Sequence, residues 1–333
     1  MNDRLYESLV EFNYSKAADK IKEVYLNSID ELPPLKKQHF LSRLSKVYGN
    51  HWTDDISDVC KGLVKEIENL FDEYSTESYG KSISNFTNLR IANNADVESK
   101  KRGNFWVLEN KKETEKFLAY LEVLMLTNII HRLKCENLFN SKKLKEIKNW
   151  LTSNWESNVD YILENPIAFK MIPVQSINVF YYMESLNLMN PDIIDKKESI
   201  FLNALKKEYG SNQKDQVDFN NYLYALTHII IGKSWFYENK LPDYRSKYGW
   251  ILDFLFNNEK RIQGECTPDI VIEVGVILLI CNEIRKSESY KKYTYSRIND
   301  EGIIPPLDKE KSTNSIRIAE HSNILAIMLL KGF

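Results

Sequence analysis

Five segments of this chain, residues 117–133, 174–186, 222–231, 270–281 and 316–330, are apolar on nearly every side, and each is interrupted by polar residues. Helices that are apolar all round are buried, so the fold must supply an interior for all five. Between them lies a second kind of segment. Residues 141–165 place Leu144, Ile147, Leu151, Trp155, Val159 and Ile162 on one face and Lys, Glu and Asn on the other, the pattern of a peripheral helix. The two kinds alternate through the C-terminal two thirds. The polar interruptions Asn128, Gln175, His228, Glu273 and His321 recur at intervals of 47, 53, 45 and 48 residues, the length of two helices with two short loops. Carried backwards, the interval reaches Lys81 and Ser82 and then a helix over 35–48. The expected fold is all-α: helical hairpins closing into an (α/α) toroid, with amphipathic helices outside and the recurring polar residues meeting in an axial pocket. An irregular helical bundle is the alternative. An α/β fold is the runner-up, because 229–231 and 270–272 look locally like strands.

Composition agrees with helices. Only 11 Gly and 9 Pro in 333 residues disfavour turn-rich sandwiches and glycine-dependent nucleotide folds. With 45 basic against 47 acidic residues and a net charge of -2, no nucleic-acid partner is expected. The four cysteines, Cys60, Cys135, Cys266 and Cys281, form no CxxC pair, which points to a reducing compartment and a cytoplasmic protein. No membrane span is expected: residues 270–281, interrupted by Glu273, reach only about 18 Å as a helix against the roughly 30 Å of a bilayer core. The chain is expected to be one α-helical domain over 1–333. N-terminal helices occupy 1–80, a surface excursion 81–111, and the clearest hairpins 112–333. Asn93-Asn94 and the basic turn 100–103 lead to Phe105-Trp106-Val107-Leu108, a small hairpin or part of a surface excursion. Residues 300–315, with Gly302, Pro305 and Pro306, form a loop. Thr53, followed by Asp54 and Asp55, is expected to cap a helix whose apolar stripe runs from Ile56 to Phe71.

Thr267 suits an N-cap, Pro268 the first helical position and Asp269 the positive helix end. Glu273 follows one turn later on a helix whose other residues are apolar, and a buried carboxylate needs a partner or a shifted pKa. His228 and His321 interrupt buried segments in the same way. Two imidazoles and a carboxylate on successive inner helices are the ligand types of a catalytic zinc, so His228, Glu273 and His321 form the expected metal set, with Cys266 able to supplement or replace one ligand. Without metal, the same groups together with Asp269 serve as general acid and base. Asn128, Gln175, Tyr224, Trp235 and Asn323 are the expected substrate-binding residues of an aromatic-lined pocket. The competing reading is structural, with core histidines bonded to carbonyls and aromatics that simply pack.

The segment Tyr222-Leu-Tyr-Ala-Leu-Thr-His228-Ile-Ile-Ile-Gly232, followed by Asp269-Ile-Val-Ile-Glu273-Val-Gly275, resembles the signature of the bacterial domain-of-unknown-function family 3541, over the C-terminal half of the chain. That resemblance implies no activity. The repeats are also similar in architecture to the toroids of lanthionine cyclases, protein prenyltransferases and terpenoid cyclases. The first two hold zinc at the ring mouth. This sequence lacks the paired Cys-His of the cyclases, has Glu265-Cys266 where prenyltransferases have Asp-x-Cys, and lacks the DxDD and DDxxD signatures of terpenoid cyclases. None of those activities carries over. The function expected is an enzyme acting on a small molecule or modified peptide by metal-assisted or acid/base chemistry, as a hydrolase or cyclase. The alternative is a non-catalytic scaffold that binds a peptide or protein.

Overall fold

A computed structural model describes residues 13–49, 51–75, 106–208, 216–306 and 315–333. Among these the secondary structure is helical, with no strand. The chain divides into two compact units, residues 1–56 with 237–333, and residues 57–236. In the first unit lie α1 (Tyr14–Asn27), α2 (Pro34–Tyr48), α11 (Arg245–Asn257), α12 (Glu259–Glu265), α13 (Pro268–Ile280), α14 (Ile284–Ser296) and α15 (Ser315–Lys331). Its core is α15, which packs on α1, α2, α13 and α14. In the second unit lie most of α3 (Thr53–Tyr74), then α4 (Lys111–Arg132), α5 (Ser141–Ser153), α6 (Trp155–Glu164), α7 (Pro166–Met171), α8 (Pro173–Ser185), α9 (Pro191–Glu208) and α10 (Gln216–Lys233). There α8 packs against α4, α7, α9 and α10.

The alternation of buried and half-exposed helices is present. In α13 every residue from Ile270 to Ile280 is buried, whereas the following α14 buries only Ser287, Tyr290 and Thr294. A second regularity lies in how the buried helices end. Each of the five is followed by a left-handed residue: Lys134 (φ 57°), Asn187 (53°), Trp235 (56°), Asn282 (60°) and Gly332 (81°). After the first four, the next amide closes a six-residue loop back onto the helix: Cys135 to Ile130, Leu188 to Met183, Phe236 to Ile231 and Glu283 to Leu278. This is the Schellman stop, which satisfies carbonyls the helix leaves over. Its recurrence gives the repeat a backbone basis that the side-chain pattern only suggests.

Two glycines fix how closely the buried helices approach. A methyl group on Gly232 of α10 would lie 1.8 Å from the Tyr181 ring of α8, and one on Gly275 of α13 would lie 2.6 Å from Leu329 of α15. Both belong to the signature segments, and here they serve packing.

Several local expectations are corrected. Residues 229–231 and 270–272 are helical, because burial in a helical core overrides their β-branched preference. The single helix over 141–165 is two, broken at Asn154. Trp106 to Glu109 forms a helical turn rather than a hairpin strand, while 93–94 and 100–103 lie outside the described residues. Thr53 is the first residue of α3 and not its cap. Thr267 occupies the cap position of α13 with extended backbone, but its hydroxyl makes no capping bond. No helix among the described residues is long and apolar enough to cross a membrane.

Candidate functional site

The first unit brings together a set of ionisable side chains from α2, α13 and α15. Pro268 opens α13 at its first position and places Asp269 in the first turn, where the helix dipole favours a carboxylate. Glu320, His321 and Ser322 are consecutive on α15, so they fan out at about 100° steps, and α15 contacts both α2 and α13. His321 therefore reaches Asp269, its Nδ1 lying 2.7 Å from Oδ1, and the Ser322 hydroxyl donates to the same oxygen at 3.0 Å. Glu320 meets His39 of α2 instead, Oε1 to Nδ1 at 2.7 Å. The two imidazole rings lie 5.3 Å apart at a 32° tilt. Glu273, one turn along from Asp269, is fully buried and adds its charge to the field at His321.

A carboxylate can only accept, so each Nδ1 carries the proton and each Nε2 is left as the imidazole's other working atom. The two rings differ in charge. Burial pulls the His321 pKa down, but Asp269, Glu273 and Glu320 outweigh it and raise it to about 9. For His39, burial and the Arg43 guanidinium outweigh Glu320 and lower it to about 4. Burial would raise Glu320, yet the neighbouring imidazoles and Lys36 hold it below the usual carboxylate range. Near neutral pH the set is therefore ionised Glu320 on neutral His39, beside an imidazolium at His321.

Of the expected residues, Asp269, Glu273 and His321 fall in this set, and Ser322, Glu320 and His39 join them. The sequence pattern does not single out His39, because α2 is half-exposed and strongly charged. Yet two steps of the repeat back from Asn128 end on this helix, and His39 is its imidazole. Asn323 plays a structural part: its fully buried amide holds Ile304 through both N–H and C=O at 2.9 Å, and also the Ala319 carbonyl at 2.8 Å, fixing the loop before α15. Cys266 ends α12 and is half-buried.

His228 belongs to the second unit. Its Nδ1 lies 3.1 Å from Asn178 Oδ1, and Asn178 Nδ2 donates to the Tyr182 hydroxyl at 3.5 Å. Asn128 is fully buried and accepts from Arg132 Nε at 3.0 Å. Gln175 and Tyr224 are half-buried, and Trp235 is 43% exposed. Among the described residues, no group of three or more His, Cys, Asp or Glu side chains is placed to hold a metal ion.

Fold and site together define an all-helical protein that carries two carboxylate-held histidines, His39 on α2 and His321 on α15. The chain belongs to the family described as Domain of unknown function (DUF3541), whose model matches residues 14–332, well beyond the half that carries the resemblance. A DNA ligase of Methanococcus aeolicus is 26% identical over 164 residues, covering 49% of this chain and 26% of the ligase. The matched stretch thus spans about a quarter of that relative's length. No solved structure matches.

Proposed function

We propose that the protein is an enzyme that performs acid/base chemistry, hydrolysis or cyclisation, on a small molecule or modified peptide, with His39 as general base and His321 as general acid. One observation carries this reading: two imidazoles 5.3 Å apart, each held through Nδ1 by its own carboxylate, differ in charge at neutral pH. Neutral His39 has a lone pair at Nε2 to take a proton from water or a substrate nucleophile. Protonated His321 has an Nε2–H to give to the leaving group. Both states coexist between about pH 4 and about pH 9. Asp269 and Glu320 orient the rings and Glu273 helps to keep His321 charged. The proposal includes closure of the hairpins into an (α/α) ring, supported by the recurrence of the buried helices and their shared stops.

The test is turnover of ester, amide and phosphoester panels by the wild type, His39→Ala and His321→Ala. At least about a 100-fold loss of kcat/KM is expected in each variant. Turnover unchanged in both variants, or two imidazoles that titrate together near 6.5, would overturn it. Absence of turnover on every panel, with both variants strongly destabilised, would favour the scaffold reading, in which the two pairs only clamp α2 and α13 to α15.

A further inference from the structure

The second unit contains a polar and aromatic track that the acid/base reading does not use. On α4, Arg132 donates from Nε to Asn128 Oδ1, and its guanidinium carbon sits 4.8 Å over the Phe236 ring. Phe236 stacks on Tyr182 at 4.9 Å and 19°. Tyr182 is bonded to Asn178, and Asn178 to His228. Contacts therefore run without a break from Asn128 to His228 across α4, α8 and α10.

The direction of the hydrogen bonds decides what this track can accept. Asn128 has its oxygen occupied by Arg132. Its Nδ2 is buried in a fully buried residue and meets no acceptor among the described residues, a situation native structures rarely leave unanswered. An acceptor that approached Nδ2 would do so beside the Arg132 guanidinium, whose charge favours an anionic oxygen over a carbonyl or hydroxyl. Arg132 is half-buried, so the track is reachable at that end. We infer that the second unit binds a small oxyanion-bearing molecule, a carboxylate or a phosphate, between Asn128 Nδ2 and the Arg132 guanidinium, with the Phe236–Tyr182 stack as its apolar flank.

Inorganic phosphate and acetate are the probes, titrated into the full chain against sodium chloride of equal ionic strength. Thermal unfolding and the side-chain amide resonance of Asn128 are the readouts. At least one anion should raise Tm saturably and shift that resonance. Asn128→Leu, which removes the Nδ2 donor, and Asn128→Asp, which opposes an anion, should each weaken the response at least tenfold. A response to phosphate alone supports a phosphate ligand, to acetate alone a carboxylate. No saturable rise with either anion, an equal rise in the variants, or an unmoved Asn128 resonance in the wild type would overturn the inference. The last readout needs no variant to fold.

Discussion

Asp269→Asn tests the electrostatics at the centre of the candidate site. The substitution keeps an oxygen of the same reach for His321 Nδ1, at 2.7 Å in the wild type, and removes the negative charge. With Asp269 present, His321 titrates at about 9 rather than 6.5. Taken at face value that separation corresponds to about 3 kcal/mol. The imidazole is 36% exposed, so solvent screening reduces the expected effect to about 1 kcal/mol. The sign follows from linkage. Because the folded protein holds this proton more tightly than the unfolded chain, the contribution is complete below pH 6.5 and disappears as pH rises through about 9. Urea unfolding at pH 6 and pH 9.5 should therefore show the wild type losing about 1 kcal/mol more than Asp269→Asn between the two conditions, the other titrating groups cancelling in the difference. The imidazole nitrogen shifts of His321 give the same answer directly, with the midpoint falling from about 9 towards 6.5 in the variant, where Glu273 and Glu320 alone oppose burial. A wild-type midpoint at or below 6.5, or equal pH dependence in the two proteins, would refute the reasoning and the assignment of His321 as the charged partner.

The acid side depends on His39, whose folded pKa of about 4 lies below its unfolded value, so stability should fall as pH drops from 6.5 towards 4; His39→Gln, which keeps a donor for Glu320 but does not titrate, should flatten that limb in urea melts. Gly232→Ala should cost about 3 kcal/mol by chemical denaturation, since the new methyl meets the Tyr181 ring at 1.8 Å and that ring is buried and bonded to Glu198. Asn323→Leu should cost about 2–4 kcal/mol, because it strands the buried Ile304 amide and carbonyl, and hydrogen exchange at Ile304 should accelerate. Lys134→Gly should raise the urea midpoint by the equivalent of about 0.5–1 kcal/mol, glycine relieving a left-handed φ of 57° at the end of α4.

The helices and their burial are legible in the sequence because both rest on local patterns. Of the apolar stripe of α3, Cys60, Leu63, Val64, Ile67 and Phe71 are buried and Ile56, Val59 and Leu70 half-buried, and the all-apolar segments form the buried α4, α8, α10, α13 and α15. The site is only half legible. Glu273, Asp269 and His321 stand out because polar groups on apolar helices require an explanation. His39 does not, because one polar residue among Lys36, Lys37 and Gln38 gives no contrast, and only the packing of α15 on α2 assigns it to Glu320. Asn178 lies one helical turn beyond Gln175 on nearly the same face, so spacing alone does not discriminate between them. Asn323 carries the same sequence signal as His321 two residues before it. Its role in holding the 299–304 loop depends on a partner 19 residues away, which no periodicity encodes.

Stability alone gives a poor account of the ionic groups on α13 and α15. Glu320 is 2% exposed and Glu273 fully buried, and the desolvation of such carboxylates is recovered by pairing only in part, so apolar residues of similar volume would serve the core as well or better. The apolar alternative is at hand in the same helices: the next turns of α15 are Ile324, Leu325, Ala326, Ile327 and Met328, each with no exposed surface. What the carboxylates do that leucine would not is raise His321 to about 9 while burial and Arg43 hold the neighbouring His39 at about 4. A purely structural clamp has no use for that separation, since either charge state would join the helices. Acid/base chemistry needs it, because donor and acceptor must coexist at one pH, and this is the physical reason for preferring the enzyme reading to the scaffold.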